Sequence, residues 1–149
     1  MIYYFEPNSV VQYLSKRDED AGYDLYANML DDPLFLPKKT ISHVKTGLHV
    51  KIPDGYVGII KERSSYPFKK VRFSVRGGVI DSGYSGEIIV FLENTSDTGI
   101  SLPSDKAIAQ LVVVPIYDGA VHHCHSRDLF MEHFAGKKRL DGRAGSTGK

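Results

Sequence analysis

No stretch of this 149-residue chain sustains a helical period; its apolar residues come in short β-rich runs separated by turn sequences. Residues 41–50 and 56–60 are two such runs, divided by the turn sequence Pro53-Asp54-Gly55. Longer apolar runs cover 86–94 and 108–117. The second contains Leu111-Val112-Val113-Val114 without alternation, which predicts burial on both faces. The best short-helix candidate is 65–70, and Pro67 limits it. Many short strands with regular turns predict an all-β sandwich or barrel. No internal repeat is evident.

Composition narrows the function classes. The length fits one domain, and 42% hydrophobic content supplies a core while excluding strongly charged disorder. Nineteen Lys and Arg against 18 Asp and Glu give no global basic signal, so no nucleic-acid partner is expected. A lone cysteine, Cys124, excludes an intrachain disulfide framework. There is no 18-residue apolar stretch and no basic region followed by a long apolar core. The expectation is a soluble, intracellular protein without a membrane partner.

The segment richest in chemistry is Gly77-Gly78-Val79-Ile80-Asp81-Ser82-Gly83-Tyr84-Ser85-Gly86-Glu87. An apolar pair delivers Asp81 into a glycine-dense turn, and a strand leaves through Ile88, Ile89, Val90 and Phe91. Glycine needs no Cβ clearance, so the backbone can approach a flat ligand closely. Asp81 at a strand end suits a general base, and the Tyr84 ring could pack under a sugar or a base. The competing reading is a β-hairpin whose Asp and Gly residues only make the turn. Elsewhere, Arg63-Ser64-Ser65 suits phosphate, because the guanidinium fork matches phosphate oxygens and the hydroxyls add donors. Gln110 is a polar amide inside an apolar run and needs partners, at a site or within the core.

Five segments in order carry a family resemblance: Asp20-Ala21-Gly22-Tyr23-Asp24-Leu25-Tyr26, Arg63-Ser64-Ser65, the Asp81 turn, Ile108-Ala109-Gln110-Leu111, and Gly145-Ser146-Thr147-Gly148. Spanning positions 20 to 148, this order and spacing resembles the trimeric dUTPase (deoxyuridine 5′-triphosphate nucleotidohydrolase) family. The resemblance implies a distorted jelly roll, β-clip-like, that assembles as a homotrimer with active sites at subunit junctions. It implies hydrolysis of dUTP to dUMP and pyrophosphate, by attack of an Asp81-activated water on the α-phosphorus. Mg²⁺ is the implied cofactor, held by Asp24 through water, with Asp20 structural. Arg63, Ser64, Ser65, Gln110, Arg139, Ser146 and Thr147 would meet the phosphates or their surroundings. Tyr84 would pack against deoxyribose and exclude a 2′-hydroxyl, and the backbone of Gly78, Val79 and Ile80 would read uracil. The expected organisation is a β domain over 1–135 and a glycine-rich, flexible C-terminal arm over 136–149.

The chain departs from the family at its end. The family pattern has a phenylalanine that closes over uracil just before Gly-Ser-Thr-Gly. Here Ala144 stands at that position and Arg143 at a glycine position, while Arg139 matches the phosphate-contacting arginine by spacing. Asp105-Lys106-Ala107 replaces the usual turn of the fourth motif. A deaminase acting on dCTP shares the family fold but carries a glutamate on the strand after the turn. Phe91 occupies that place, with Glu93 two residues further, which argues against deamination. A binding or regulatory homologue without turnover is the non-enzymatic alternative. Finally, His122-His123-Cys124-His125 contains metal-ligand types. On a strand it would put two ligands on each face, too few for a closed zinc site, so an exposed edge strand is expected.

Overall fold

The computed structural model describes residues 1–6, 14–29, 32–65 and 73–134. Among the described residues ten strands appear in order: β1 (Tyr3–Phe5), β2 (Gly22–Leu25), β3 (Leu34–Leu36), β4 (Thr40–Lys51), β5 (Tyr56–Lys61), β6 (Phe73–Arg76), β7 (Gly78–Ile80), β8 (Glu87–Asn94), β9 (Ile100–Leu102) and β10 (Ala109–Pro115). A short helix, α1 (Arg127–Glu132), follows them. The strands form two four-stranded sheets, β1-β4-β8-β6 and β2-β10-β5-β7, and the pair β3-β9. Every pairing among the described residues is antiparallel. The architecture is the distorted jelly roll expected.

β8 obeys the period-two rule throughout. Ile88, Val90, Leu92 and Asn94 are buried, while Glu87, Ile89, Phe91 and Glu93 between them are half-buried. Its apolar face joins Val44, Leu48 and Val50 of β4 to Leu25, Ile60, Ile80 and Leu111 of the other large sheet in one core. Across β4 and β8 the register slips between Lys45 and His49, where Gly47 takes φ 72°. That left-handed backbone favours glycine, and the Gly47 amide donates to Glu87 Oε1 at 2.9 Å.

β10 is only partly buried on both faces. Leu111 is fully buried, but Val112, Val113 and Val114 are half-buried in the single chain. The even run of valines therefore conceals an alternation that begins and then lapses toward the strand end. A second difference concerns the Asp81 turn. It is no hairpin: β7 pairs with β5, whereas β8 pairs with β4 and β6, so the turn carries the chain from one sheet to the other.

By its contacts the chain divides into two units, Met1–Tyr117 and Asp118–Lys149. In the second unit, residues 118–125 form no strand, so the edge strand expected at 122–125 is absent. α1 begins just after this segment, with Ser126 capping the Leu129 amide at 3.3 Å and Asp128 in the first turn. None of its residues is buried. Residues 66–70 of the expected helix, and the whole segment 136–149, lie outside the described residues.

One buried amide ties β8 to the β3-β9 pair. Asn94 is 0% exposed, and its Nδ2 donates to the carbonyls of Leu36 (3.0 Å) and Thr98 (2.9 Å). Its Oδ1 accepts from the amide and the hydroxyl of Ser96, at 3.0 and 2.7 Å. Replacing Asn94 by Leu strands these partners in the core. The expected cost is about 3 kcal/mol, because each buried polar group left unpaired costs on the order of 1–3 kcal/mol. Urea unfolding should show a lower midpoint at unchanged slope; a wild-type midpoint would remove this network from the account.

Candidate active site

β10 sits between β2 and β5, and this fixes one row of side chains. Gln110 lies directly opposite Asp24 on β2 and opposite Lys61 on β5. Directly opposite residues share a face, so Asp24 and Gln110 point the same way. Arg63, two residues past the end of β5, reaches the same place. Its Nε meets Asp24 Oδ1 at 2.9 Å and its Nη2 donates to Asp24 Oδ2 at 3.1 Å, a bidentate pair. Both side chains are about one-third exposed (35% and 33%). Gln110 Nε2 donates to the Glu62 carbonyl at 2.7 Å. A Cβ on Gly22 would stand 2.6 Å from Gln110 Oε1, so glycine is what gives the amide its space. Asp24, Arg63, Ser64, Ser65 and Gln110 all line one polar cavity of about 390 Å³. The structure thus brings together five residues singled out from sequence.

Arg17 also lines this cavity and escaped the sequence reading. The signal available was the basic pair Lys16-Arg17 just ahead of the acidic motif. Arg17 donates from Nε to Asp20 Oδ2 (3.0 Å) and from Nη2 to Oδ1 (3.1 Å). That hydrogen bond holds the Asp20 carboxyl below the usual carboxylate range. Asp20 is accordingly occupied by a local partner. The Tyr26 hydroxyl is pushed up, first by burial and then by the charge of Asp24.

Three carboxylates border the cavity: Glu19, Asp20 and Asp24. Among the described residues no three His, Cys, Asp or Glu side chains gather closely enough to hold a metal ion. A divalent cation here would take one carboxylate and complete its shell from water and ligand oxygens. Mg²⁺ accepts that arrangement, because it dehydrates reluctantly and commonly borrows phosphate oxygens. The donor set fits Mg²⁺ carried by a phosphorylated ligand.

The second group of predicted residues lies elsewhere. Ile80 ends β7 buried, Asp81 follows exposed, and the Tyr84 amide donates to the Asp81 carbonyl at 3.0 Å. Tyr84 Oη donates to the Glu87 carbonyl at 2.8 Å. A Cβ on Gly86 would stand 2.6 Å from Tyr84 Cζ, so the ring packs over bare glycine backbone. Val79 is exposed, and Gly78 and Val79 pair with Ile60 and Ile59 on β5. β7 and β2 are opposite edges of the sheet, and Ile80 stands level with Gly58 and Val113, three residues along from Gln110. Strand spacing of ~4.8 Å and rise of ~3.3 Å then separate Asp81 from Asp24 by on the order of 20 Å. Within one chain, Asp81 and Tyr84 are not brought to the Asp24–Arg63–Gln110 cluster.

Other candidates resolve simply. Glu93 forms a bidentate pair with Arg76, Nε to Oε2 at 2.6 Å and Nη2 to Oε1 at 2.7 Å, on the other large sheet. The rings of His123 and His125 meet edge to face at 4.8 Å. Arg139, Arg143, Ala144, Ser146 and Thr147 lie outside the described residues.

Comparison with known proteins shows the family of the chain. The dUTPase family model matches residues 9–148. A deoxyuridine 5′-triphosphate nucleotidohydrolase of Tropheryma whipplei (strain Twist) is 34% identical over 134 residues, 89% of this chain and 85% of that protein. The Pol polyprotein of equine infectious anemia virus (strain Wyoming) is 32% identical over 137 residues, 92% of this chain, which spans only 11% of the polyprotein. Among solved structures, a point mutant of the dUTPase from phage phi11 of S. aureus superposes with TM-score 0.73 at 22% identity, covering 86% of this chain and 99% of that one. A point mutant of the Staphylococcus bacteriophage 80alpha dUTPase with dUpNHpp gives TM-score 0.73 at 21% identity, covering 85% and 89%. The match along nearly the whole sequence, on a shared jelly-roll fold, shows that the chain belongs to the dUTPase family.

Proposed function

We propose that this protein hydrolyses dUTP to dUMP and pyrophosphate at a site assembled between subunits of a homotrimer. The observation that carries the reading is the Arg63–Asp24 pair beside Ser64, Ser65 and Gln110 in one polar cavity, within a chain of the dUTPase family. A guanidinium, two hydroxyls and an amide suit the oxygens of a phosphate chain. The related phage 80alpha protein has been solved with dUpNHpp.

In this reading the Asp81 carboxylate takes a proton from a water molecule as that water attacks the α-phosphorus. The bond from the α-phosphorus to the bridging oxygen breaks, and pyrophosphate leaves. Arg63, Ser64, Ser65 and Gln110 hold the phosphates in line, and that positioning supplies most of the catalysis in phosphoryl chemistry. Mg²⁺, reached by Asp24 through water, would neutralise phosphate charge when bound. Tyr84 fills the space of a 2′-hydroxyl, and the backbone at Gly78, Val79 and Ile80 reads the base. Arg139, Ser146 and Thr147, on an arm over 136–149, complete the phosphate contacts, and Ala144 provides no ring to cover uracil. The separation of Asp81 from the Arg63 cluster supports assembly from more than one chain. Deamination is disfavoured, since Glu93 is committed to Arg76 on another sheet.

Asp81→Asn should leave the fold intact and lower pyrophosphate release from dUTP by about 10²–10⁴, the usual contribution of a general base. Turnover near wild type would remove Asp81 from the mechanism. Tyr84→Ala should raise activity on UTP relative to dUTP. An unchanged ratio of the two kcat/KM values would mean that the sugar is read elsewhere.

A further inference from the structure

The turn that carries Asp81 and Tyr84 has two hydrogen bonds of its own, from the Tyr84 amide to the Asp81 carbonyl and from Tyr84 Oη to the Glu87 carbonyl, and neither ties it to a strand other than those it joins. Asp81, Gly83, Tyr84 and Ser85 are all exposed. A Cβ on Gly83 would meet nothing within 4 Å, so glycine there adds freedom and answers no crowding. Since the turn crosses between sheets, no ladder of hydrogen bonds closes it. General-base chemistry, however, needs a carboxylate fixed to within a fraction of an ångström.

Two side chains of β4 supply what the turn lacks. Lys51 Nζ donates to the Ser82 carbonyl at 2.8 Å, and to Asp54 Oδ1 at 2.9 Å. The second bond holds the Asp54 carboxyl below its usual range and gives the ammonium a second partner. His49 Nδ1 lies 3.0 Å from the Ser85 carbonyl. A carbonyl only accepts, so the hydrogen bond requires the proton on Nδ1. His49 and Lys51 are two residues apart on one strand and therefore share a face. Both line, with Ser82, Gly83, Tyr84 and Ser85, a cavity of about 420 Å³, and the Phe5 ring stands 6.1 Å from the imidazole. The two carbonyls capped are the one just after Asp81 and the one just after Tyr84.

We infer that Lys51 and His49 are positioning residues for the reaction: Lys51 sets the backbone beside Asp81, and His49 sets the backbone beside Tyr84. The inference rests on the proposed roles of those two turn residues. The roles divide accordingly. Loss of the Lys51 donor disturbs proton transfer and lowers kcat. Loss of the His49 donor lets the Tyr84 ring shift, which weakens binding and sugar discrimination.

The test compares Lys51→Met and Lys51→Arg, His49→Leu and His49→Asn, with Asp81→Asn as reference, in the full-length protein. Arginine and asparagine each keep an N–H donor near the lost one. Lys51→Met should lower kcat for dUTP about tenfold with KM little changed, since an ångström-scale misplacement costs up to about 10². Lys51→Arg should restore most of that loss. His49→Leu should raise KM and narrow the dUTP-over-UTP preference severalfold, and His49→Asn should recover it. A thermal midpoint on each variant identifies any loss that comes from unfolding, and a loss that tracks the midpoint overturns the inference. So do wild-type kcat, KM and selectivity in Lys51→Met and His49→Leu while Asp81→Asn is inactive. Full turnover in Asp81→Asn would instead overturn the functional reading on which the inference stands.

Discussion

β2 and β7 are the two edges of the same four-stranded sheet, with β10 and β5 between them. Asp24 and Gln110 belong to one end of that sheet, joined by Arg63, and Asp81 leaves the other end beyond Ile80. Strand spacing, a covalent and hydrogen-bonding constant, keeps these groups far apart in one chain. A triphosphate with its nucleoside is the kind of ligand for which neither group alone suffices. One group offers charge and donors for phosphates; the other offers a carboxylate, an aromatic ring and bare backbone. The proposed assembly of several subunits would bring the two groups together across an interface.

The Arg63–Asp24 pair has a further meaning in that light. Each side chain is about one-third exposed, and an ion pair so open to water contributes at most about 1 kcal/mol. It is therefore easily exchanged. A phosphate drawing on the guanidinium would leave the Asp24 carboxylate free for the water shell of a cation. In the free chain each residue satisfies the other; in the proposed complex with a nucleotide, both would turn to the ligand. Gly22 keeps Gln110 beside them, since any side chain there would collide with the amide.

The long strands were legible as apolar, β-rich runs bounded by turn residues: 41–50, 56–60 and 86–94 correspond to β4, β5 and β8, although the unbroken apolar stretch from Ile88 to Leu92 hides the alternating burial of β8. β1, β3 and β9 are three residues each, too short for alternation to show. Gln110 was legible as a polar residue in an apolar run, and its bond to the Glu62 carbonyl satisfies it. Asp81 was correctly placed at a strand end, but the partners of β7 and β8 were invisible, since pairing is a long-range choice that the turn residues do not encode. The same reason hid Lys51 and His49, which act on carbonyls 31 and 36 residues away. The segment 122–125 looked like a strand by residue type, yet it lies in the irregular stretch before α1.

The central claim is that Asp81 of one subunit works with Arg63 of another, and subunit mixing tests it most directly. Asp81→Asn and Arg63→Ala are each prepared as the sole chain and assayed for pyrophosphate release from dUTP. The two are then unfolded together, refolded as a mixture, and assayed again. If the site is shared between chains, some interfaces in mixed assemblies join an intact Asp81 to an intact Arg63, and activity returns well above either variant alone. Mixed assemblies, verified by mass, that remain as inactive as the parent variants would contradict the account and confine the site to a single chain.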